Sequence, residues 1–198
     1  MNNRAFKQHV VARLFVIASQ IKMHPEAFAS SFINSDFASY LEKDIYDDKY
    51  NISILDIFNK ITGLNVSRDD SFGVYDDAYW AGHTYYELMI KRKKSFAFLM
   101  IKLPLKEMLD LHPVYHEMDL TAIEEFLDEK DKSQSIIKCL LKRYGYKLTE
   151  VSKKTKISIS TLRKYSENDA LLYRASFKHI YLLKNFFEVP DQLFLESI

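Results

Sequence analysis

Nine lysine and arginine side chains stand between Lys138 and Lys164 against one carboxylate, Glu150. Crowded cations of one sign attract polyanions, and the phosphate backbone of a nucleic acid is such a partner. Within this run Ser158 is placed to cap a helix. Ile157, Leu162 and Tyr165 then share one face, at spacings of five and three. Ile159, Ser160, Arg163 and Lys164 are left on other faces. The charge asymmetry extends further: residues from Ser133 onward carry twelve basic and six acidic side chains, a net +6, and those before it carry −5.

A second group of reactive types is His112, His116, Glu117 and Asp119, with His83 able to join only through the fold. Zinc needs such donors to converge at about 2.0–2.2 Å. Pro113 is expected to end the helix carrying His112, so the two histidines should not align. No metal, cofactor or catalytic site is therefore expected. The chain has no phosphate-binding glycine loop, nucleophile elbow or paired cysteines. Cys139 lies on an apolar helix face and reads as core.

The elements that must position these residues follow from apolar spacing. Phe6, Val10, Leu14, Ile17 and Ile21 predict an amphipathic first helix. Pro25 suits the first turn of a second, carrying Phe28, Phe32 and Ile33. Ser35 or Asp36 caps a third through Leu41, before a polar break at Asp44–Tyr50. Ile54, Leu55, Phe58 and Ile61 predict a fourth, closed by Gly63. Asn65–Gly73 reads as a loop. Asp76–Arg92 reads as a helix with acidic residues first and basic residues last; Gly82 within it implies a close packing partner. Pro104 opens a helix through Leu111, and Asp119 caps Leu120–Leu127. The charged run Asp128–Ser133 has no apolar residue and is taken as the boundary between residues 1–132 and 133–198. Beyond it come a helix at Ile136–Leu141, a turn at Gly145, a short helix with Val151 inward, a tight turn at Lys156 and the helix capped by Ser158.

The stretch Val151-Ser-Lys-Lys-Thr-Lys-Ile-Ser-Ile-Ser-Thr-Leu162 resembles the helix-turn-helix core of the lambda-repressor and Cro-like family. Ser176–Phe194 resembles the helices that follow that core, so the likeness spans about 60 of 198 residues. The resemblance implies that Ile159, Ser160, Thr161 and Lys164 reach base edges. It implies that Lys147, Lys153, Lys156 and Arg163 serve phosphates. The chain departs from the family at four places. Lys156 stands in a turn where glycine is common, and Lys147 and Leu148 where a hydroxyl cap and a glutamine are usual. Glu167 and Asp169 fall where a phosphate contact is expected, and Ala170–Tyr173 forms a longer, apolar connection. A fainter likeness covers Ala78–Tyr85, Pro104–Leu109 and His116–Asp119. It is similar to an uncharacterised group of small bacterial proteins found beside ADP-ribosyltransferase-like toxins.

Four Gly and four Pro in 198 residues disfavour a turn-rich β-sandwich. No apolar run approaches the roughly 20 residues that span a bilayer. The N-terminus lacks the apolar core of a secretory signal, and a lone cysteine cannot form an internal disulfide. The expectation is an all-α cytoplasmic bacterial protein: an N-terminal helical domain that binds a partner or signal, followed by a lambda-repressor-like helix-turn-helix domain. Its expected role is a transcriptional regulator that binds double-stranded DNA as a homodimer. The sharper form is an antitoxin repressing its own toxin-antitoxin operon, with the toxin bound by the N-terminal domain. The alternative is a protein-interaction module that keeps the helix-turn-helix fold without touching DNA.

Overall fold

Gly82 marks where the two longest helices meet. In the computed structural model, which describes residues 3–43, 50, 52–67 and 76–194, α1 (Asn3–Gln20) packs along α5 (Asp76–Arg92). A Cβ at Gly82 would lie 2.8 Å from Ala12 Cα and 3.0 Å from the Phe15 ring. The expected close partner of this glycine is thus the α1 backbone. Gly82→Ala gains helix propensity but forces two backbones apart. We expect a net loss of about 1–3 kcal/mol, read by urea denaturation; an unchanged midpoint would place the helices farther apart than described.

α1 is buried on more of its circumference than its predicted stripe. Val11, Ala12, Phe15 and Val16 are buried alongside Val10, Leu14 and Ile17, while Phe6 and Ile21 at its ends are exposed. Around it lie α2 (Pro25–Ile33), α3 (Asp36–Lys43) and α4 (Ile54–Thr62). Ser35 and Ser53 accept from backbone N–H groups at the starts of α3 and α4, and Gly63 ends α4 at φ 71°. The polar break 44–49 and residues 68–73 of the predicted loop lie outside the described residues; residues 64–67 have no regular structure.

The centre of the molecule is α6 (Phe96–Lys102), an element the apolar spacing did not predict. Every one of its residues is buried, so it carries no polar face and no helical periodicity. It touches α2, α5, α8 (Leu120–Ser133), α9 (Ile136–Tyr144) and the 3-10 helix Asp191–Phe194. Phe96 meets Phe32 edge-on at 5.0 Å, and the Tyr85 hydroxyl donates to Leu103 O at 2.6 Å. One continuous buried cluster runs from α1 to the 3-10 helix.

Two expectations need correction here. α7 (Leu105–Tyr115) passes through Pro113 rather than ending before it. The proline falls in the last turn, where the missing N–H costs one intrahelical bond and His116 N still reaches His112 O at 3.1 Å. The charged run Asp128–Ser133 is the end of α8 rather than a linker. Two of its three carboxylates are docked: Asp128 and Asp131 both take Arg92, at 2.8 and 3.2 Å, and Asp131 takes Lys102 at 3.3 Å. Only Gln134 and Ser135 separate α8 from α9.

After α9 come α10 (Leu148–Thr155), α11 (Ile159–Glu167), α12 (Asp169–Tyr173) and α13 (Phe177–Phe187). The described residues form an all-α structure with no strand. Among them no helix is long and apolar enough to cross a membrane.

Candidate nucleic-acid interface

α10 and α11 are joined by three residues, Lys156–Ser158. Val151 and Thr155 bury one side of α10, and Ile157, Leu162 and Tyr165 bury one side of α11. α10 packs against α13 and α11 against α9; Ile137 and Leu140 of α9 and Ile180, Leu183 and Phe187 of α13 are buried. The predicted inward set is therefore buried as expected.

Lys156 takes φ 61°, a left-handed conformation that costs a non-glycine residue about 1–2 kcal/mol. Side chains hold the bend: Ser152 Oγ donates to Ile157 O at 2.7 Å, and the buried Thr155 hydroxyl donates to Val151 O at 2.7 Å. Ile157 N in turn donates to Thr155 Oγ1 at 3.3 Å, so two side-chain hydrogen bonds span the turn at Lys156. At the start of α10, Lys147 occupies the cap position. Its N–H is taken by Glu150 Oε2 at 2.7 Å, so the missing hydroxyl cap is partly replaced from the third helical position.

Ser158 accepts from Thr161 N at 3.1 Å and caps α11. Its hydroxyl also meets Ser160 Oγ at 2.9 Å and Thr161 Oγ1 at 2.8 Å. Two of the four predicted base-facing residues therefore turn their hydroxyls toward the cap. Thr161 is half-buried, whereas Ile159, Ser160 and Lys164 are exposed. Ile159 keeps 40% of its surface in water. Lys147, Lys153, Lys156 and Arg163, the predicted phosphate contacts, are all exposed.

The charge environment of this face differs from that of the buried ionic groups around α6. Around α6, Arg92, Lys102, Lys130 and Arg143 each meet a carboxylate. Among the described residues none of Lys147, Lys153, Lys154, Lys156, Arg163 and Lys164 does so. Six cations without counter-charges are concentrated on two short helices and their turn. At the C-terminal end of α11 the Tyr165 hydroxyl meets His179 Nδ1 of α13 at 2.8 Å. Burial pushes the Tyr165 phenol up, so it stays protonated at neutral pH and the link is uncharged on the tyrosine side.

Sequence reasoning missed Phe177 and Tyr181 of α13. Phe177 is 82% exposed and Tyr181 53%, with their rings stacked. They stand four residues apart, off the Ile180–Leu183–Phe187 face, beside exposed Arg174 and Lys178. Their helical offset from that inward set was the available signal. In the apolar connection Ala170–Tyr173, Leu172 is buried and Leu171 exposed.

The histidine group is differently arranged from its expectation. Because α7 continues through Pro113, the rings of His112 and His116 do align, stacked at 4.7 Å. His116 Nδ1 lies 2.8 Å from His112 O, and Trp80 meets His112 edge-on at 5.5 Å. Among the described residues no three His, Cys, Asp or Glu side chains are grouped to hold a metal ion. His83 stacks on Tyr79 within α5, and burial pushes its imidazole down against the opposing effect of Glu87.

No protein-family model, curated protein or solved structure matches the chain.

Proposed function

We propose that this protein is a DNA-binding transcriptional regulator whose α10–turn–α11 segment is a helix-turn-helix, with α11 entering the major groove. The observation that carries this reading is the basic face: six cations that meet no carboxylate among the described residues, on a short helix pair whose inner sides are buried. Lys164 and Ile159, free of the Ser158 cap network, are the side chains best placed to reach base edges, by donation to guanine and contact with a thymine methyl. Ser160 and Thr161 must exchange their bonds with Ser158 for a base contact. Lys147, Lys153, Lys156 and Arg163 supply phosphate attraction without reading sequence.

A regulator of its own operon, acting as an antitoxin with the toxin bound by the N-terminal helices, is the specific form of this proposal. The similarity of Ala78–Tyr85 and His116–Asp119 to proteins found beside toxins supports it. The exposed Phe177, Tyr181 and Leu171 favour self-association of the α12–α13 region, as a two-fold DNA target requires. The same residues favour the second reading, in which the α9–α13 unit only binds protein. A reporter driven by the protein's own promoter separates the two. Repression that is lost in Lys164→Ala, with protein level unchanged, supports DNA binding; a reporter indifferent to the protein supports the interaction module.

A further inference from the structure

A cleft of about 380 Å³ opens where the start of α7 diverges from α9. Packed interiors leave few spaces larger than a water, and this volume falls in the range of ligand pockets. Its floor is apolar, from Ile101, Pro104 and Cys139. Its walls are charged, and most of those charges are already committed. Arg143, 6% exposed, pairs with Glu26 at 2.9 Å, and Lys130 pairs with Glu107. Lys102, 1% exposed, pairs with Asp131 and Asp169 outside the cleft.

Three lining charges have no ion-pair partner among the described residues: Lys106 of α7, Lys142 of α9 and Asp110 of α7. All three are exposed at the rim. Glu26 is committed at both oxygens: Oε1 accepts from Lys106 N at 3.2 Å and Oε2 is ion-paired with Arg143 at 2.9 Å. The cleft thus presents two free ammonium groups, one free carboxylate and an apolar floor.

We propose that this cleft binds an apolar α-amino acid as its zwitterion. The ligand carboxylate lies between Lys106 and Lys142, its ammonium group meets Asp110, and its side chain covers Ile101, Pro104 and Cys139. Because the walls come from both α7 and α9, occupancy ties the N-terminal helices to the segment that leads into α10. The site stands whether or not α11 binds DNA, and its test involves no nucleic acid.

The test is a titration of the full chain with L-phenylalanine, followed through amide chemical shifts. 3-Phenylpropionate and phenethylamine, which carry only one of the two charged ends, are the comparison ligands. Phenylalanine is expected to produce saturable shifts at Ile101, Cys139 and Lys142, and each one-ended analogue to bind roughly tenfold more weakly. Lys142→Gln should weaken phenylalanine and 3-phenylpropionate by a similar factor while leaving phenethylamine unchanged. Asp110→Asn should weaken phenylalanine and phenethylamine and leave 3-phenylpropionate unchanged; both positions are exposed, so the fold is retained. Absence of saturable shifts in the cleft at about 10 mM phenylalanine, where even a millimolar site is nearly filled, overturns the proposal. Equal binding by the one-ended analogues overturns it as well, by removing the need for a zwitterion.

Discussion

Lys102→Ala is expected to destabilise the protein by about 3–5 kcal/mol, the usual loss when one member of a buried ionic group is removed. The Lys102 ammonium is almost wholly buried, with its side chain 1% exposed. It donates to Gln134 O at 2.5 Å and to Asp169 Oδ2 at 3.3 Å, and lies 3.3 Å from Asp131 Oδ1. Asp131 Oδ1 is buried and accepts no hydrogen bond, so it depends on this charge alone at that oxygen. Asp169 in turn accepts from Ile136 N at 2.9 Å, at the first residue of α9. One ammonium therefore holds α6, α8, the α8–α9 junction and α12 together. Its removal leaves two carboxylates facing each other around a space the width of a lysine stem, with the Gln134 carbonyl unsatisfied. Lys102→Met fills the space but not the charge, so it should recover about 1–2 kcal/mol of the loss and remain well below the parent. Urea denaturation of both variants checks this. A loss under about 1 kcal/mol for Lys102→Ala would mean that the ammonium is solvated and the junction is held by packing alone.

That junction was the part least legible in the sequence, for a physical reason. A run of charges such as Asp128–Ser133 reads as solvated because its partners, Arg92 and Lys102, are some thirty residues away in the chain. α6 was invisible for the complementary reason. Phe96–Lys102 is enclosed on all sides, and an element with no polar face has no period to detect. Pro113 misled because proline's cost depends on position, and in a last turn the helix continues past it. Elements with one wet face were legible in outline: α5 ends at Arg92 as its basic residues indicate. Gly63 and Gly145 close α4 and α9 at φ 71° and 70° because only glycine adopts that conformation freely. On the candidate interface, the spacing of Ile157, Leu162 and Tyr165 sorted inner from outer residues correctly. It could not show that Ser160 and Thr161 turn back to Ser158, since hydroxyl orientation is decided by the cap and not by the face.

Binding to DNA should show the largest effects of all. Four phosphate contacts per protomer, from Lys147, Lys153, Lys156 and Arg163, imply a log–log salt slope of about −3.6. Affinity should then fall about 150-fold between 50 and 200 mM salt for a single protomer, and by about four orders of magnitude for a two-fold dimer. Lys153→Ala should weaken all duplexes alike and make the slope shallower by about 0.9 per protomer. Lys164→Ala should leave the slope's phosphate share nearly intact and narrow the gap between operator and random DNA by about 1–3 kcal/mol. The contrast between the two lysines matters more than either loss, because nonspecific adhesion of a basic surface predicts that they behave identically.

The measurement that tests the central claim most directly is an anisotropy titration of the full chain against its own promoter and a random duplex, at two salt concentrations. The uncompensated cations of α10 and α11 predict submicromolar binding to the promoter at low salt, a steep loss at high salt, and a gap between the two duplexes that shrinks in Lys164→Ala. If neither duplex binds below micromolar protein at low salt, the basic face is not a DNA-binding surface and the α9–α13 unit is a protein-interaction module.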